Sequence, residues 1–264
     1  MRVRRVITTR SGGVSAAPYD SFNLGDHVGD DPKAVAANRI RLAEQIGVAP
    51  GSVVWMEQIH SRNVTVVDEP VSAAVPATDA LVTSTPGLAL AVLSADCVPV
   101  LLSDDEAGVI AGVHAGRVGA RIGIVGETLR VMVELGARID RIGAFLGPAA
   151  SGERYEVPAE MQRDVEKHLP GSACRTVQGT PGLDLRAGLR RQLLDAGVAA
   201  VAVDPRCTIS DTGLFSHRRG APTGRLASVI WMDADATGES GGTRGVESDS
   251  VSYTHLTLPT TPYA

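Results

Sequence analysis

Residues 88–116 read LALAVLSADCVPVLLSDDEAGVIAGVHAG. Three runs in it, 88–93, 98–102 and 109–113, are apolar at consecutive rather than alternate positions. Each is too short for a helix, and a short run without alternation is the pattern of a strand covered on both faces. Working outward, 53–56, 64–67, 201–204 and 226–231 are further β-rich runs. Helical punctuation is clearest at Asp31-Pro32, where a cap and a first-turn proline open a periodic run to Ile46 that Gly47 closes. Residues 123–135 and 187–196 also read as helices. Strands and helices are mixed, with no internal repeat and no linker before Met232, so one α and β domain over 1–232 is expected.

Composition agrees with a globular chain. Of 264 residues, 44% are hydrophobic and 21% charged, and the net charge is −5, which excludes collagen-like and disordered classes. A chain of this length buries about 70–75% of its unfolded surface and needs no disulfides. Aromatics are 3%, so Val, Ala and Leu must fill the core. The mild acidity argues against a nucleic-acid binder, whose footprint is a basic face. No apolar run approaches the ~18–20 residues of a membrane span, and the start, MRVRRVITTRSGG, has no signal-peptide apolar segment. Cys97, Cys174 and Cys207, an odd set without a close pair, fit a reducing cytoplasm.

The end of the chain differs from the body. Residues 233–250, DADATGESGGTRGVESDS, are small, polar and Gly-rich and read as a disordered extension. Residues 251–264, VSYTHLTLPTTPYA, carry no Asp, Glu, Lys or Arg and resemble a translated transposon-end adapter. They are expected to be an artefact and are left out of the fold reading.

Chemistry is expected where rigid strands give way to loops. Asp96 and Cys97 end one apolar run, His114 ends another, and His60 lies in the turn between two more. Two His and one Cys make a three-ligand zinc set with a position open for water or substrate. The gaps match no metal signature, and a lone His or Cys serves equally well in packing, so spacing leaves a structural role open. The same ligand types occur in blue-copper sites. A multicopper oxidase needs more imidazoles than the six here, which include no His-x-His pair and one, His255, in the suspect tail. Two further stretches suit an anion. TTRSGGVS (8–15) combines Arg10, Ser11 and Ser15 with the flexible Gly12-Gly13 pair. FSHRRGAPTGR (215–225) offers Arg218, Arg219, Thr223 and Arg225, although a turn with solvated Arg has the same composition. His27 reads as loop-ordering and His168 as a helix-end residue.

Several strings, in order from residue 8 to 231, together resemble one family: TTRSGGVS, FNLGDHVGDD, QIHS, TDALVTSTPGLALAVLSADCVPVLL, GVHAG, LGPAASGERYEV, LDLR and CTISDTGLFSHRR followed by TGRLASVIW. The chain is similar to the YfiH family, also called the polyphenol oxidoreductase laccase or purine nucleoside phosphorylase family and associated in some bacteria with peptidoglycan editing. The resemblance implies an α+β fold, a single-domain α/β/β/α sandwich with mixed sheets. It implies a zinc-associated site on His60, Cys97 and His114. It also implies phosphorolysis of adenosine, inosine, guanosine and methylthioadenosine, with adenosine deamination beside it. Copper enters through the older laccase label, which the His inventory disfavours. Two positions depart from the family pattern: Arg117-Val118 stand where many relatives have Trp-Arg, and Arg154 where relatives often have Cys.

Phosphorolysis needs an anion held under C1′ of the ribose, for which Arg10, Ser11, Arg218 and Arg219 are the candidates. Deamination needs an activated water, which zinc provides. Asp79 and Asp96 are candidate acid, base or supporting groups. The rival expectation is a metal-free hydrolase or amidase acting on cell-wall precursors, with Cys97 as nucleophile and His114 or His60 as base.

Overall fold

The computed structural model describes residues 2–234 and Thr254–Leu256. In chain order the strands are β1 (Val3–Thr8), β2 (Val53–Val54), β3 (Val64–Val66), β4 (Ala80–Thr83), β5 (Ala89–Ser94), β6 (Val98–Asp104), β7 (Val109–Ala115), β8 (Gly143–Leu146), β9 (Ala173–Arg175), β10 (Pro181–Leu183), β11 (Ala200–Val203), β12 (Leu226–Met232) and β13 (Thr254–Leu256). The α-helices are α1 (Pro32–Ile46), α2 (Arg117–Arg121), α3 (Ile124–Glu134), α4 (Ala159–His168) and α5 (Leu185–Asp195). One sheet has the order β13-β1-β12-β5-β2, the other β11-β8-β6-β7-β4-β3, and β9 pairs with β10 apart from both. Both large sheets are mixed: β5 runs antiparallel to β12 and parallel to β2, and β4 antiparallel to β7 and parallel to β3.

Alternation along the doubly buried strands sorts their side chains into three cores. In β7, Val109, Ala111, Val113 and Ala115 pack with Ile124, Val125, Leu129 and Met132 of α3. Ile110 faces the opposite way, into a core shared with Leu90, Val92 and Ile230 of the other sheet. In β5, Ala89, Ala91 and Leu93 pack with Leu42 and Ala43 of α1. Helix, sheet, sheet and helix therefore lie in succession, the α/β/β/α sandwich that the family resemblance implied. Gly112 lies on the inter-sheet face, where an added Cβ would stand 3.1 Å from Val92 Cγ2 and 3.4 Å from Leu90 Cβ.

This layering positions the chemistry. His114 shares the parity of Ile110 and Gly112, so it points between the sheets at the end of β7. Asp79, just before β4, shares the parity of Leu81, which belongs to the inter-sheet core. Residues 95–97 carry the chain from β5 in one sheet to β6 in the other, bringing Asp96 and Cys97 to the same end.

α1 begins as its punctuation predicts: Asp31 accepts from Lys33 N at 3.0 Å, and Gly47 closes it at φ 74. Some elements had no sequence signal. α4 buries only Val165, so its stripe is too thin to show a period, and in β1 Arg4 and Arg5 interrupt the apolar run. Residues 235–253 and 257–264 lie outside the described residues, which leaves out most of the stretch read as an extension and an artefact. From that stretch, Thr254–Leu256 pair parallel to β1.

Asn38 of α1 is fully buried and fastens a loop to the sandwich. Its Nδ2 donates to Ser15 Oγ, Ser21 O and Asn23 O at 3.0, 3.2 and 2.9 Å, and its Oδ1 accepts from Val14 N at 3.0 Å. Asn38→Ala leaves several of these groups unmatched, and orphaned buried polar groups cost roughly 1–3 kcal/mol each. A total loss of about 2–4 kcal/mol is expected, read as a lower urea midpoint at an unchanged slope.

Candidate functional site

Asp79, fully buried, organises the site. Its carboxylate accepts from the backbone N–H of Ile59, His60 and Ser61 at 3.3, 2.9 and 2.6 Å and from Ser61 Oγ at 2.7 Å. These bonds hold the loop in which His60 takes a left-handed φ of 62. The same carboxylate lies 2.8 Å from His114 Nδ1. A carboxylate only accepts, so Nδ1 carries the proton and Nε2 is left to face the loop. Gln58 ties the segment to β5, donating to Leu93 O at 2.9 Å and accepting from Leu93 N at 2.8 Å.

Cys97 Sγ lies 3.7 Å from His60 Nε2, and the His60 and His114 rings meet edge to face with centroids 4.7 Å apart. One ligand atom from each of His60, Cys97 and His114 lies within 4.8 Å of the others. Ligands about 2.0–2.3 Å from one tetrahedral ion stand roughly 3.4–3.8 Å apart, so modest closure seats an ion with a fourth position open. The cluster fits a metal site, and Asp79 behind His114 supplies the carboxylate that commonly orients such a ligand. Gly116 is part of the fit: a Cβ there would stand 2.7 Å from His60 Cδ2 and 3.0 Å from Cys97 Sγ.

The charges reinforce one another. Burial pushes the Asp79 carboxyl up, but its bonds from His114 and Ser61 outweigh this and bring it to about 2. Burial disfavours the His114 imidazolium, yet the Cys97 charge and the Asp79 bond raise it to about 9. Burial likewise raises the Cys97 thiol, while the His114 charge and bonds to both imidazoles pull it down to about 6. Without metal, the two shifts support each other: the Cys97 thiol is lowered and the His114 imidazole raised because each favours the charged form of the other.

The cluster opens into a cavity of about 360 Å3. Of the residues expected from sequence, His60, Cys97, His114, Asp96, Arg218 and Arg225 line it. Asp96 is occupied in holding the wall: it accepts from Thr208 Oγ1 at 2.6 Å and Arg218 N at 2.8 Å. Arg10 and Ser11 are not among the lining residues. The Arg10 guanidinium binds Asp20 and lies 5.1 Å over Phe215. The amides of Gly13 and Val14 are taken by Ser21 Oγ and Asn38 Oδ1, and a Cβ at Gly13 would stand 2.2 Å from Ser21 O. These glycines thus serve close packing rather than an anion nest. Arg219 is also drawn away, its guanidinium donating to the carbonyls of Thr208, Ile209, Asp211 and Leu214.

His27, Gln58, Arg117, Tyr155 and His217 line the cavity without having been singled out for it. They come from separate segments of the chain, and no local pattern marked them. Among the described residues no helix is long and apolar enough to cross a membrane.

A two-sheet sandwich whose His/Cys/His cluster could hold a metal ion, beside a cavity lined by three arginines, is an arrangement that can be compared with known proteins. Residues 4–233 match the family model described as multi-copper polyphenol oxidoreductase laccase. The chain belongs to this family, that of the YfiH proteins. It is 64% identical to a Corynebacterium glutamicum protein named purine nucleoside phosphorylase, over 89% of this chain and 96% of that one. A Mycobacterium tuberculosis protein of the same name is 61% identical, over 88% and 93%. Among solved structures, the Bacillus licheniformis hypothetical protein YfiH superposes with TM-score 0.82 at 30% identity, over 88% of this chain and 93% of that one. A Neisseria meningitidis protein of family DUF152 gives 0.79 at 36%, over 88% and 95%.

Three outcomes are expected. Alkylation of Cys97 in metal-free protein rises with pH through about 6, and His114→Asn moves that rise upward, toward the pKa of an ordinary thiol. Asp79→Asn weakens metal affinity by roughly 10–100-fold, read by competition with a chromogenic chelator. Gly116→Ala abolishes stoichiometric metal content, read by elemental analysis, while circular dichroism stays that of the folded chain.

Proposed function

We propose that this chain is a purine nucleoside phosphorylase that also deaminates adenosine, with zinc held by His60, Cys97 and His114. The observation that carries the reading is the meeting, in one cavity, of a three-ligand cluster and the guanidinium groups of Arg117, Arg218 and Arg225. The relatives named purine nucleoside phosphorylase support it.

In phosphorolysis a phosphate oxygen forms a bond to C1′ as the C1′–N9 bond breaks, and the purine leaves with the electron pair and gains a proton. The chain must hold the anion under C1′ and supply that proton. The cavity guanidinium groups suit the first task, and His27 and His217, both in its lining, suit the second. Asp79 keeps His114 in the tautomer whose Nε2 faces the ligand set, and Gly116 leaves room for it. Bound there, zinc would supply a Lewis acid able to acidify water to a pKa of around 7. The thiolate and two imidazoles also suit copper, which the family name implies, so metal content is part of the test.

A second reading rests on one specific observation. A depressed Cys97 thiol, His114 and Asp79 follow one another as nucleophile, base and orienting acid do in a cysteine hydrolase. That enzyme, acting on cell-wall precursors, needs no metal.

The deciding experiment incubates the protein with adenosine and phosphate and follows adenine, ribose 1-phosphate and inosine. All three are expected, and each is lost in Cys97→Ser. The protein should contain about one zinc per chain, and Cys97 should resist alkylation until a chelator is added. Metal-loaded, folded protein that forms none of the products overturns the phosphorylase reading. Metal-free protein that is active and readily inactivated by alkylation favours the hydrolase.

A further inference from the structure

The three cavity guanidinium groups are not equivalent. Arg218 lies 4.9 Å over the Tyr155 ring and donates to Glu156 O at 3.0 Å, so it is directed toward the wall formed by residues 155–156. Arg117 opens the short helix α2, and its guanidinium makes no hydrogen bond or ion pair among the described residues, so no polar contact fixes its direction.

Arg225 is both held and available. Its backbone N–H donates to Asn23 Oδ1 at 2.8 Å, and its carbonyl accepts from Leu24 N at 3.2 Å. Its stem crosses Gly25 so closely that a Cβ there would stand 2.7 Å from Arg225 Cγ and 3.1 Å from Arg225 Cβ. Only NH1 is engaged, by the carbonyls of Thr223 and Gly224 at 3.0 and 3.1 Å. Nε and NH2 are left for the cavity, and no carboxylate pairs with this cation among the described residues. Asp96, the acid in the lining, has both oxygens occupied by Thr208 and the Arg218 amide. A half-buried guanidinium with a fixed stem and two free donors, in ion-pair contact with no carboxylate although the charges of Cys97 and Asp96 lie near enough to favour its protonated form, is a prepared position for a tetrahedral oxyanion.

We propose that Arg225 holds the phosphate co-substrate, and that Asn23 and Gly25 are positioning residues that aim it. The assignment rests on the phosphorylase reading above and deepens it by separating the anion position from the rest of the cavity. Arg218, with Tyr155, is then left to the nucleoside end.

The test has a kinetic arm and a binding arm, both on the full chain loaded with metal. In the kinetic arm, initial rates are measured against phosphate and against inosine for the wild type, Arg225→Gln, Arg225→Lys and Gly25→Ala. Arg225→Gln should raise the phosphate KM roughly 10- to 100-fold, the range for a lost charge-assisted bond, with the inosine KM held within about twofold. Arg225→Lys keeps the charge without the fork and should recover part of that loss. Gly25→Ala keeps the charge but displaces the stem, and should raise the phosphate KM as well. A phosphate KM unchanged in Arg225→Gln, or both KM values rising together, overturns the assignment.

In the binding arm, unfolding temperature is compared in phosphate and in chloride of equal ionic strength. Phosphate should raise it in the wild type and not in Arg225→Gln. An equal rise in both proteins, or none in the wild type, overturns the assignment without reference to turnover. A wild type that binds phosphate through Arg225 yet forms no ribose 1-phosphate overturns the phosphorylase reading and leaves the anion position standing.

Discussion

A buried carboxylate, Asp79, fixes the side-chain geometry between a loop and a strand that the sheet ladder already brings side by side. It gathers three consecutive amides and a hydroxyl of the loop at residues 59–61, and it accepts a hydrogen bond from Nδ1 of His114 on the neighbouring strand. Those bonds keep the carboxyl ionised in spite of burial, and the charge so kept helps hold the His114 imidazole in one orientation. The left-handed turn at His60 and the orientation of His114 thus have a common cause. Strand pairing already sets Cys97 beside His114, and the carboxylate adds the fixed orientation of the His60 loop and of the His114 ring.

The two sheets impose the second constraint. β5 and β6 belong to different sheets, so the three residues between them must cross the sandwich at its end. That crossing brings Cys97 against an inter-sheet histidine, and it works only where side chains are absent. Gly112 lets the sheets close beneath the site, and Gly116 lets the chain leave β7 without a methyl group among the ligands. Rigid layers below and a tight passage above hold the ligand atoms together before any ion arrives, the condition under which a site needs little rearrangement to bind.

Arginine use follows the same logic of occupied and unoccupied donors. Arg219 gives its guanidinium to four backbone carbonyls and so acts as a brace for its own loop. Arg10 is held by Asp20 and Phe215 away from the cavity. Arg117, Arg218 and Arg225 face the cavity with donors to spare, and only Arg225 combines that with a fixed stem. Residue type identified all five as cations; hydrogen bonds distinguish braces from ligand groups.

The sequence by itself determined that buried strands and helices mix in one domain and which residues are metal-ligand candidates, while the layered sandwich was implied by the family resemblance. Consecutive apolar residues in 88–93, 98–102 and 109–113 require cover on both faces, but only the stacking of the layers decides that the face of Ile110 and His114 is the inter-sheet one. Strand ends at Cys97 and His114, with His60 in a turn, were legible because polar, reactive side chains interrupt apolar runs. Elements with thin apolar stripes, such as α4, were not, since burial of Val165 alone leaves no period to read. Tertiary structure alone decided which charged groups converge. Asp79 and His114 are 35 residues apart, and Asn23, Gly25 and Arg225 about 200 residues apart, so no local pattern couples them. Local spacing records what a strand or helix must bury, whereas the partners of a hydrogen bond across the sandwich are set by how the layers stack. For that reason the TTRSGGVS stretch, an anion loop by composition, became a packing loop once Asn38 and Ser21 took its amides.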